Sequence, residues 1–428
     1  MNERSGFTAL FRIPGKCDME QNYQSTYESE KSESRIGKRI LLVCCFLIAI
    51  ALTASVVYAL TWSAAKKKYA GEDGDLIEAV RELRDIIRVH YFYYDPDEKQ
   101  LTDGVLKGLA SATGDAYAEY YTEEEYAELT KQNDRTFIGI GILTQVNENG
   151  DVVILDVYDN TPASEAGLKP DDLIREINGT GYEGLTLTDF LANVRAEDGA
   201  ANAFVIQRGD ELLPFEIIAR EVHTPAVSYR MLTDTIGYIH LVSFHGTCVE
   251  ETQTAVKELR DAGMRTLVFD LRDNLGGSLY DAIDIADIFL PRDYIVTTLR
   301  SRDGETVEYK TKQSGLDIRT VLLVNEYSAS ASELVAGALK DYGAAYLIGT
   351  KTYGKGIVQS FFEVKETKGW IKITTDAYYT PNGVCVQDDG IIPDEIVELS
   401  EEAQAYSIDR IPFELDLQLQ AAIAYLEE

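Results

Sequence analysis

Residues 321–343 read VLLVNEYSASASELVAGALKDYG, and this stretch decides the fold class of the chain. Its first part is a continuous apolar run typical of a buried strand, and its last part repeats apolar residues at helical spacing. A serine-rich turn, Asn325 to Glu333, connects the two. A strand that runs through a short turn into a helix is the repeating unit of α/β proteins, so the sequence predicts an α/β domain here.

The neighbouring segments extend this alternation over residues 223–428. Strand-like runs such as IGYIHLV, TLVFDLR and AYLIGT alternate with helix-like runs such as ETQTAVKELRDAG and SLYDAIDIADIFL. The pattern predicts a parallel or mixed sheet covered by helices. Functional sites of such folds gather at the carboxyl ends of the strands, which is where the candidate residues lie.

Three segments at these strand ends carry candidate chemistry. DLRDNLGG ends in Gly276 and Gly277, and adjacent glycines can turn backbone N–H groups inward as an oxyanion hole requires. The serine-rich turn places hydroxyls at a helix N-terminus, where the helix dipole favours negative charge. Lys355 in TYGKGIVQ stands between glycines, and a lysine acts as a base only where burial keeps it neutral.

The residues alone leave several alternatives open. Ser328, Ser330 and Ser332 alternate in the turn, and physics alone does not choose between a nucleophile and a helix cap among them. The four histidines lie in no recognisable triad motif, and no HExxH motif offers zinc ligands. The stretch from Gly349 to Lys355 matches most of a phosphate-binding loop, but Gly rather than Ser or Thr follows the lysine. A nucleotide-binding protein is therefore the weaker alternative.

Residues 136–222 are rich in short strand-like runs separated by turn signals. Two stretches within them, FIGIGI at 137–142 and TPASEAGLKPDDLIREING at 161–179, resemble a PDZ domain of the bacterial protease type. Such a domain offers backbone amides to a terminal carboxylate and an open strand edge to an extended peptide, so we expect peptides with apolar C-termini as partners. The peptide-binding residues implied by the resemblance are Gly139, Ile140, Gly141 and Ile142.

The order of DLRDNLGG, VLLVNEYSASASELVAGALKDYG and TYGKGIVQ resembles that of the C-terminal processing peptidases, the S41-type serine proteases. The resemblance covers roughly residues 75–395 and implies a crotonase-like α/β peptidase domain over residues 223–428, without metal or cofactor. Leu275 departs from the family, which usually has proline there. The implied catalytic residues are the nucleophile Ser330, the base Lys355 and Gln359, which would orient the lysine. The implied oxyanion-hole residues are Gly276, Gly277 and Ala331.

These assignments predict a serine endopeptidase that uses a Ser/Lys dyad and cleaves exported or envelope proteins at or near their C-termini. The resemblance also implies that the PDZ domain captures the substrate, and it makes a homodimer an expectation. The alternative is a catalytically silent PDZ-type peptide-binding protein on a peptidase fold.

The run from Ile40 to Trp62 contains no charged residue and is long enough to cross a hydrocarbon core of about 30 Å as a helix. A cleaved signal peptide is the alternative, although its apolar core is normally only ~7–15 residues long. We therefore expect a multidomain protein with a cytoplasmic polar tail (1–39), a single membrane anchor (40–62), a helical region without visible chemistry (69–135) and an extracytoplasmic body.

The acidic charge of the chain argues against nucleic acid as a partner. The formal net charge is −32, although residues 1–68 carry 10 Lys and Arg against 6 Asp and Glu. The body after residue 68 is therefore even more acidic and repels phosphate backbones. Only Cys248 and Cys385 lie in this body, and the sequence does not determine whether they pair.

Overall fold

The structure, a computed structural model, describes residues 73–93, 96–147, 149–313 and 315–428. The expected anchor at residues 40–62 and the tail before it lie outside these residues. None of the helices that are described has the length and apolar character needed to span a bilayer. The chain divides into two compact units, Met1–Leu101 and Thr102–Glu428.

The described part of the first unit contains helix α1 (Asp73–His90). It is amphipathic, and it exposes apolar residues such as Leu83 and Val89. Helix α2 (Glu98–Ser111) begins in this unit and continues into the second.

The second unit opens with strand β1 (Glu119–Tyr121) and helix α3 (Glu123–Asn133). The sequence predicted a helical region here, and the strand is a departure from that prediction. A capping box explains where α3 begins: the Thr122 hydroxyl accepts the Glu125 N–H at 3.1 Å, and the Glu125 carboxylate accepts the Thr122 N–H at 2.9 Å. The residues before Thr122 thereby stay extended and add to a sheet edge.

Residues 136–223 form a β-rich domain, and the sequence predicted such a domain over residues 136–222. Its elements are β2 (Thr136–Gly139), β3 (Ile142–Val146), β4 (Val152–Val157), α4 (Pro162–Ala166), β5 (Leu173–Ile177), β6 (Thr180–Gly181), α5 (Leu187–Leu191), β7 (Ala201–Arg208), β8 (Glu211–Ile218) and β9 (Arg220–His223). The main sheet has the order β3-β4-β5-β7-β8, with β6 beside β5. Its core contains Ile154, Ile174 and Phe204. Strand β3 lies at the edge of this sheet, as peptide addition requires.

The chain enters and leaves this domain side by side, because β2 pairs antiparallel with β9. Arg135, just before β2, joins the two connections. Its backbone oxygen accepts the N–H of Thr224 at 2.9 Å, and its guanidinium donates to the oxygens of Thr224 at 2.9 Å and Pro225 at 2.7 Å. The domain is therefore an insertion whose two ends are held together by strand pairing and hydrogen bonds.

The remaining residues form the predicted α/β domain. Its elements are β10 (Val227–Met231), β11 (Ile236–Leu241), α6 (Cys248–Asp261), β12 (Thr266–Asp270), α7 (Leu279–Phe289), β13 (Ile295–Ser301), β14 (Thr306–Lys310), β15 (Arg319–Val324), α8 (Ala331–Asp341), β16 (Tyr346–Gly349), β17 (Ile357–Val364), β18 (Gly369–Tyr379), β19 (Glu395–Ile396), α9 (Glu401–Gln404), a 3₁₀ turn (Ile408–Arg410) and α10 (Leu417–Glu427).

Two sheets organise this domain. The central one has the order β10-β11-β12-β15-β16-β19, and all its neighbours are parallel except β10 and β11. The second has the order β1-β18-β13-β14, with β17 also paired to β18. The alternation in the sequence predicted the first sheet but not the second. Cys248 and Cys385 are both free thiols.

Candidate active site

Ser330 lies at the carboxyl end of β15, on the turn that starts helix α8. Its φ of 56° is positive, a region that a non-glycine residue rarely adopts. Such strain persists only where the surrounding structure enforces it, and it is common at functional sites. The turn leaves Ser330 half-buried at the wall of a cavity.

The other two serines of the turn are fully buried and bonded elsewhere. The Ser328 hydroxyl donates to the Leu271 oxygen at 2.7 Å, and the Ser332 hydroxyl donates to the Asn274 oxygen at 2.7 Å. Both anchor the serine turn to the glycine loop that follows β12. Of the three serines, only Ser330 faces the cavity, a distinction that the sequence could not make.

The glycine loop lies directly against the serine turn. A Cβ at Gly276 would stand 2.7 Å from the Ala329 oxygen and 2.9 Å from the Ser330 Cβ, and φ there is +99°. Gly276 therefore has to be glycine for both steric and conformational reasons. Leu275 beside it is 70% exposed and leaves this geometry intact.

The three expected oxyanion-hole residues differ in what their N–H groups do. The N–H of Gly276 donates to the Asn274 side-chain oxygen at 2.9 Å, so it is already engaged and departs from the prediction. In the described part of the chain, the N–H of Gly277 has no such acceptor. Ala331 is the first residue of α8, where the N–H groups lack partners within the helix. Gly277 and Ala331 are thus the two candidate donors.

A buried carboxylate ties the serine turn to the lysine loop. Glu333 has no exposed surface, and its Oε2 accepts the N–H of Ser330 at 2.9 Å and the N–H of Lys355 at 2.8 Å. Its Oε1 accepts the Thr352 hydroxyl at 2.7 Å and the Gly354 N–H at 2.6 Å. One side chain therefore fixes the backbone at both proposed catalytic positions.

A tyrosine makes a second link between the same two residues. The Tyr378 hydroxyl lies 2.9 Å from the oxygen of Ser330 and 2.9 Å from the oxygen of Lys355, which share it as acceptors. Burial, followed by the charge of Glu333, raises the pKa of Tyr378 well above its usual value. The phenol is therefore neutral and serves as a donor.

Lys355 itself is half-buried and faces the same cavity. Burial, and then the positive charge of Lys372, lower its pKa from the usual 10.5. A lowered pKa increases the neutral fraction of the amine, which is the form that accepts a proton. The Lys355 Nζ also lies 4.3 Å from the centre of the Tyr117 ring.

Two further residues line the cavity: Gln359, which was predicted to orient the lysine, and His245, which was not a predicted site residue. Gln359 faces it, but its side-chain amide donates to the Thr374 hydroxyl at 3.2 Å rather than to Lys355. His245 also lines the cavity, and burial lowers its pKa. No sequence motif pointed to His245, because it lies in a loop far along the chain from the serine turn.

The cavity has a volume of about 1000 Å³ and gathers all six predicted catalytic and oxyanion positions. Those residues are Ser330, Lys355, Gln359, Gly276, Gly277 and Ala331. Apolar side chains, including Leu299 and Leu334, form another part of its wall. The space is large enough for several residues of an extended polypeptide.

The β-rich domain has a separate groove of about 420 Å³. Its lining includes the loop from Gly139 to Ile142 and the apolar side chains of Leu191 and Val194. Gly141 has φ of +84°, and a Cβ there would meet the Thr161 Cβ at 2.4 Å. The groove thus lies at the open edge of β3, with an apolar lining.

Comparison with known proteins agrees with this geometry. Residues 235–397 match Peptidase family S41, and residues 138–218 match the PDZ domain. A carboxy-terminal-processing protease of Bartonella bacilliformis is 32% identical over 345 residues, which cover 78% of this chain and 77% of that protein. The chain belongs to the S41 carboxy-terminal-processing proteases.

Two other relatives are consistent with the family. A CtpA-like serine protease of Staphylococcus aureus is 29% identical over 380 residues, covering 86% of this chain and 76% of that protein. A solved structure of a Bacteroides fragilis protein assigned to the S41 proteases covers 80% of this chain and 96% of that chain, with 18% identity and a TM-score of 0.54. The latter likeness concerns the fold alone.

As a carboxy-terminal-processing protease, the chain is a serine peptidase with a PDZ domain. The loop from Gly349 to Lys355 runs into strand β17, whereas a phosphate-binding loop would run into a helix. The lysine loop is held by Glu333 and Tyr378, and no role for either residue was predicted from the sequence. Ser330 and Glu333 have the spacing of a capping box, which predicts a helix start but not the bond from Glu333 to the lysine loop, and Tyr378 belongs to no motif.

Proposed function

We propose that this protein is a membrane-anchored serine endopeptidase that cleaves exported or envelope proteins at or near their C-termini with a Ser330–Lys355 dyad. The observation that carries the proposal is the double link between the two residues. Glu333 binds both of their N–H groups, and Tyr378 lies against both of their carbonyl oxygens.

The chemistry follows from these positions. Neutral Lys355 accepts the hydroxyl proton of Ser330 while the serine oxygen bonds to the substrate carbonyl carbon. The N–H groups of Gly277 and Ala331 stabilise the oxyanion that results. The proton then passes from Lys355 to the leaving amine, and water releases the acylated serine by the same route.

The PDZ domain would select the substrate. The Gly139–Ile142 loop and the open edge of β3 suit an extended peptide whose terminal carboxylate binds the loop and whose last side chain enters the apolar groove. The uncharged run at residues 40–62 would hold the enzyme at the cell membrane with its body on the extracytoplasmic side.

The test uses the full chain in mild detergent and an unfolded protein substrate that ends in apolar residues. Digestion is followed by intact mass for the unmodified enzyme and for the variants Ser330→Ala, Lys355→Met and His245→Gln. We expect products that shorten the substrate near its C-terminus, lost in the first two variants and retained in the third. Loss with His245→Gln and retention with Lys355→Met would assign the base to the histidine instead.

The same assay addresses the alternative function. If the unmodified enzyme binds the substrate but yields no product, and Ser330→Ala binds equally well, the chain acts as a peptide-binding protein and the proposal is wrong.

A further inference from the structure

The connection between α2 and α3 lies along the second sheet, beside the lysine of the candidate dyad. Strand β1 pairs with β18, with Glu119 opposite Lys372 and Tyr121 opposite Trp370. The sequence indicated no chemistry in this segment. Its placement brings the side chains of Asp115, Tyr117, Glu119 and Tyr121 close to Lys355 or to Lys372, which both line the cavity.

Asp115 fixes the start of the segment to β18. One oxygen of its carboxylate accepts the N–H of Thr374 at 3.0 Å, and the other accepts the N–H of Tyr117 at 2.9 Å. These hydrogen bonds, the one from Tyr117 first, lower the pKa of Asp115, so the carboxylate is ionised and the bonds are charge-assisted. The backbone of Tyr117 is thereby held in place relative to β18.

The ring of Tyr117 covers the amine of Lys355. The Nζ lies 4.3 Å from the ring centre, within the range of a cation–π contact, and both side chains are half-buried. The contact depends on the protonation of the lysine. A ring face attracts an ammonium strongly and a neutral amine weakly, so its contribution appears when the base takes up a proton.

We propose that Tyr117 is a positioning residue for the general base: its ring face holds the Lys355 side chain in the cavity and stabilises the ammonium formed when Lys355 takes the proton of Ser330. This inference rests on the proposed Ser330–Lys355 dyad. The proton moves from the serine oxygen to the lysine nitrogen as the oxygen–carbon bond forms, and it leaves with the departing amine. Tyr117 exchanges no proton: its ring face contacts the base, and its hydroxyl hydrogen-bonds with Tyr353.

Other charged groups near Lys355 also shift its pKa. Lys372 of β18 lowers the pKa of Lys355, whereas the carboxylates of Asp115 and of Glu333 in α8 raise it. Lys372 is itself held by the Tyr121 hydroxyl at 2.7 Å and by Glu119 at 3.4 Å. The segment from Asp115 to Tyr121 thus organises both lysines of the cavity.

The experiment measures kcat/KM against pH for the full chain in mild detergent, with a peptide substrate. Tyr117→Leu removes the ring face, and Tyr117→Met does so with a flexible side chain in case the leucine variant fails to fold. Without the ring the ammonium is less stable, so the pKa of Lys355 falls. We expect the acid limb to move down by roughly half to one pH unit and the plateau to fall about 10-fold.

Two controls separate this role from packing. Tyr117→Phe keeps the ring face, and phenylalanine also binds cations. Its kcat/KM should therefore stay within about 2-fold of that of the unmodified enzyme, and its acid limb should not move. Tyr126→Leu removes a ring that stacks on Trp370 at 4.4 Å, in the same region but away from Lys355. It should leave the acid limb unmoved.

The inference is overturned if Tyr117→Leu and Tyr117→Met keep the acid limb in place, or if Tyr117→Phe behaves as they do. Ser330→Ala and Lys355→Met are assayed alongside. Activity in those two would refute the dyad itself. Their inactivity, together with an unmoved acid limb in the Tyr117 variants, would refute only the role of the ring.

Discussion

Replacing Glu333 with glutamine tests the link between the serine turn and the lysine loop. The carboxylate accepts four hydrogen bonds, two at each oxygen, and every partner is a donor. A glutamine can accept with its oxygen only, and its NH₂ group has to face one of the two pairs. The Thr352 hydroxyl oxygen already accepts the Ile391 N–H at 2.7 Å, and it can also accept a hydrogen bond from the glutamine amide. We therefore expect the NH₂ group to face Thr352 and Gly354.

The magnitude follows from this arrangement. The N–H of Gly354 is left without an acceptor in a buried site, which costs about 1–3 kcal/mol. The bonds to Ser330 and Lys355 change from charged to neutral and weaken by about 1 kcal/mol each. A loss of about 3–5 kcal/mol lowers the unfolding midpoint of a domain of this size by about 6–20 °C. Displacement of the lysine loop should also reduce kcat/KM at least about 10-fold.

The assay combines thermal unfolding with kcat/KM measured well below the unfolding midpoint. Asp287→Asn is the matched control, because this buried carboxylate accepts the N–H groups of Lys312 at 2.7 Å and Gln313 at 3.0 Å away from the site. The control should lose stability and keep its activity. If Glu333→Gln unfolds within about 2 °C of the unmodified protein and remains fully active, the reasoning about the link is refuted.

Lys372→Met removes a positive charge that lowers the pKa of Lys355, so that pKa rises and the acid limb of kcat/KM moves to higher pH. Lys368→Met, at an exposed lysine, is the control, and an acid limb that stays or moves down would contradict the prediction. In the PDZ domain, Ala192→Trp should fill the groove and raise KM for a substrate with an apolar C-terminus at least about 10-fold, with kcat maintained. Ala203→Trp, on an exposed position of β7 outside the groove, should leave KM unchanged, and equal effects of the two would argue against substrate capture there.

The sequence predicted the central sheet well because its strands are continuous apolar runs and its helices have a clear period. The order of three motifs also led to six predicted catalytic and oxyanion positions, and all six line a single cavity. The sequence did not reveal the second sheet. Strands β13, β14 and β18 are only partly buried, so they lack the apolar signal of a buried parallel strand.

The parts of the site that were not predicted from the sequence have one physical property in common: they depend on tertiary contacts. Glu333 and Tyr378 act through tertiary hydrogen bonds. The Ser330-x-x-Glu333 spacing signals only the start of a helix, and a tyrosine in a strand has no sequence signal of its own. Tyr117 reaches Lys355 only because β1 pairs with β18, a contact between distant segments. The engaged N–H of Gly276 likewise depends on the conformation of Asn274, which the double glycine does not reveal.

The hydrogen bonds of Arg135 and the pairing of β2 with β9, which join the two ends of the inserted domain, affect how the chain folds. Closing a long loop carries an entropy cost that grows with its length, and residues 136–222 interrupt the peptidase domain between α3 and β10. Once the inserted domain has folded, β2 and β9 hold its ends together. The peptidase domain then has only a short loop to close at this point instead of a long one. Early folding of the insert would therefore speed assembly of the host, and an exchange of the insert for another domain with adjacent ends would preserve that advantage.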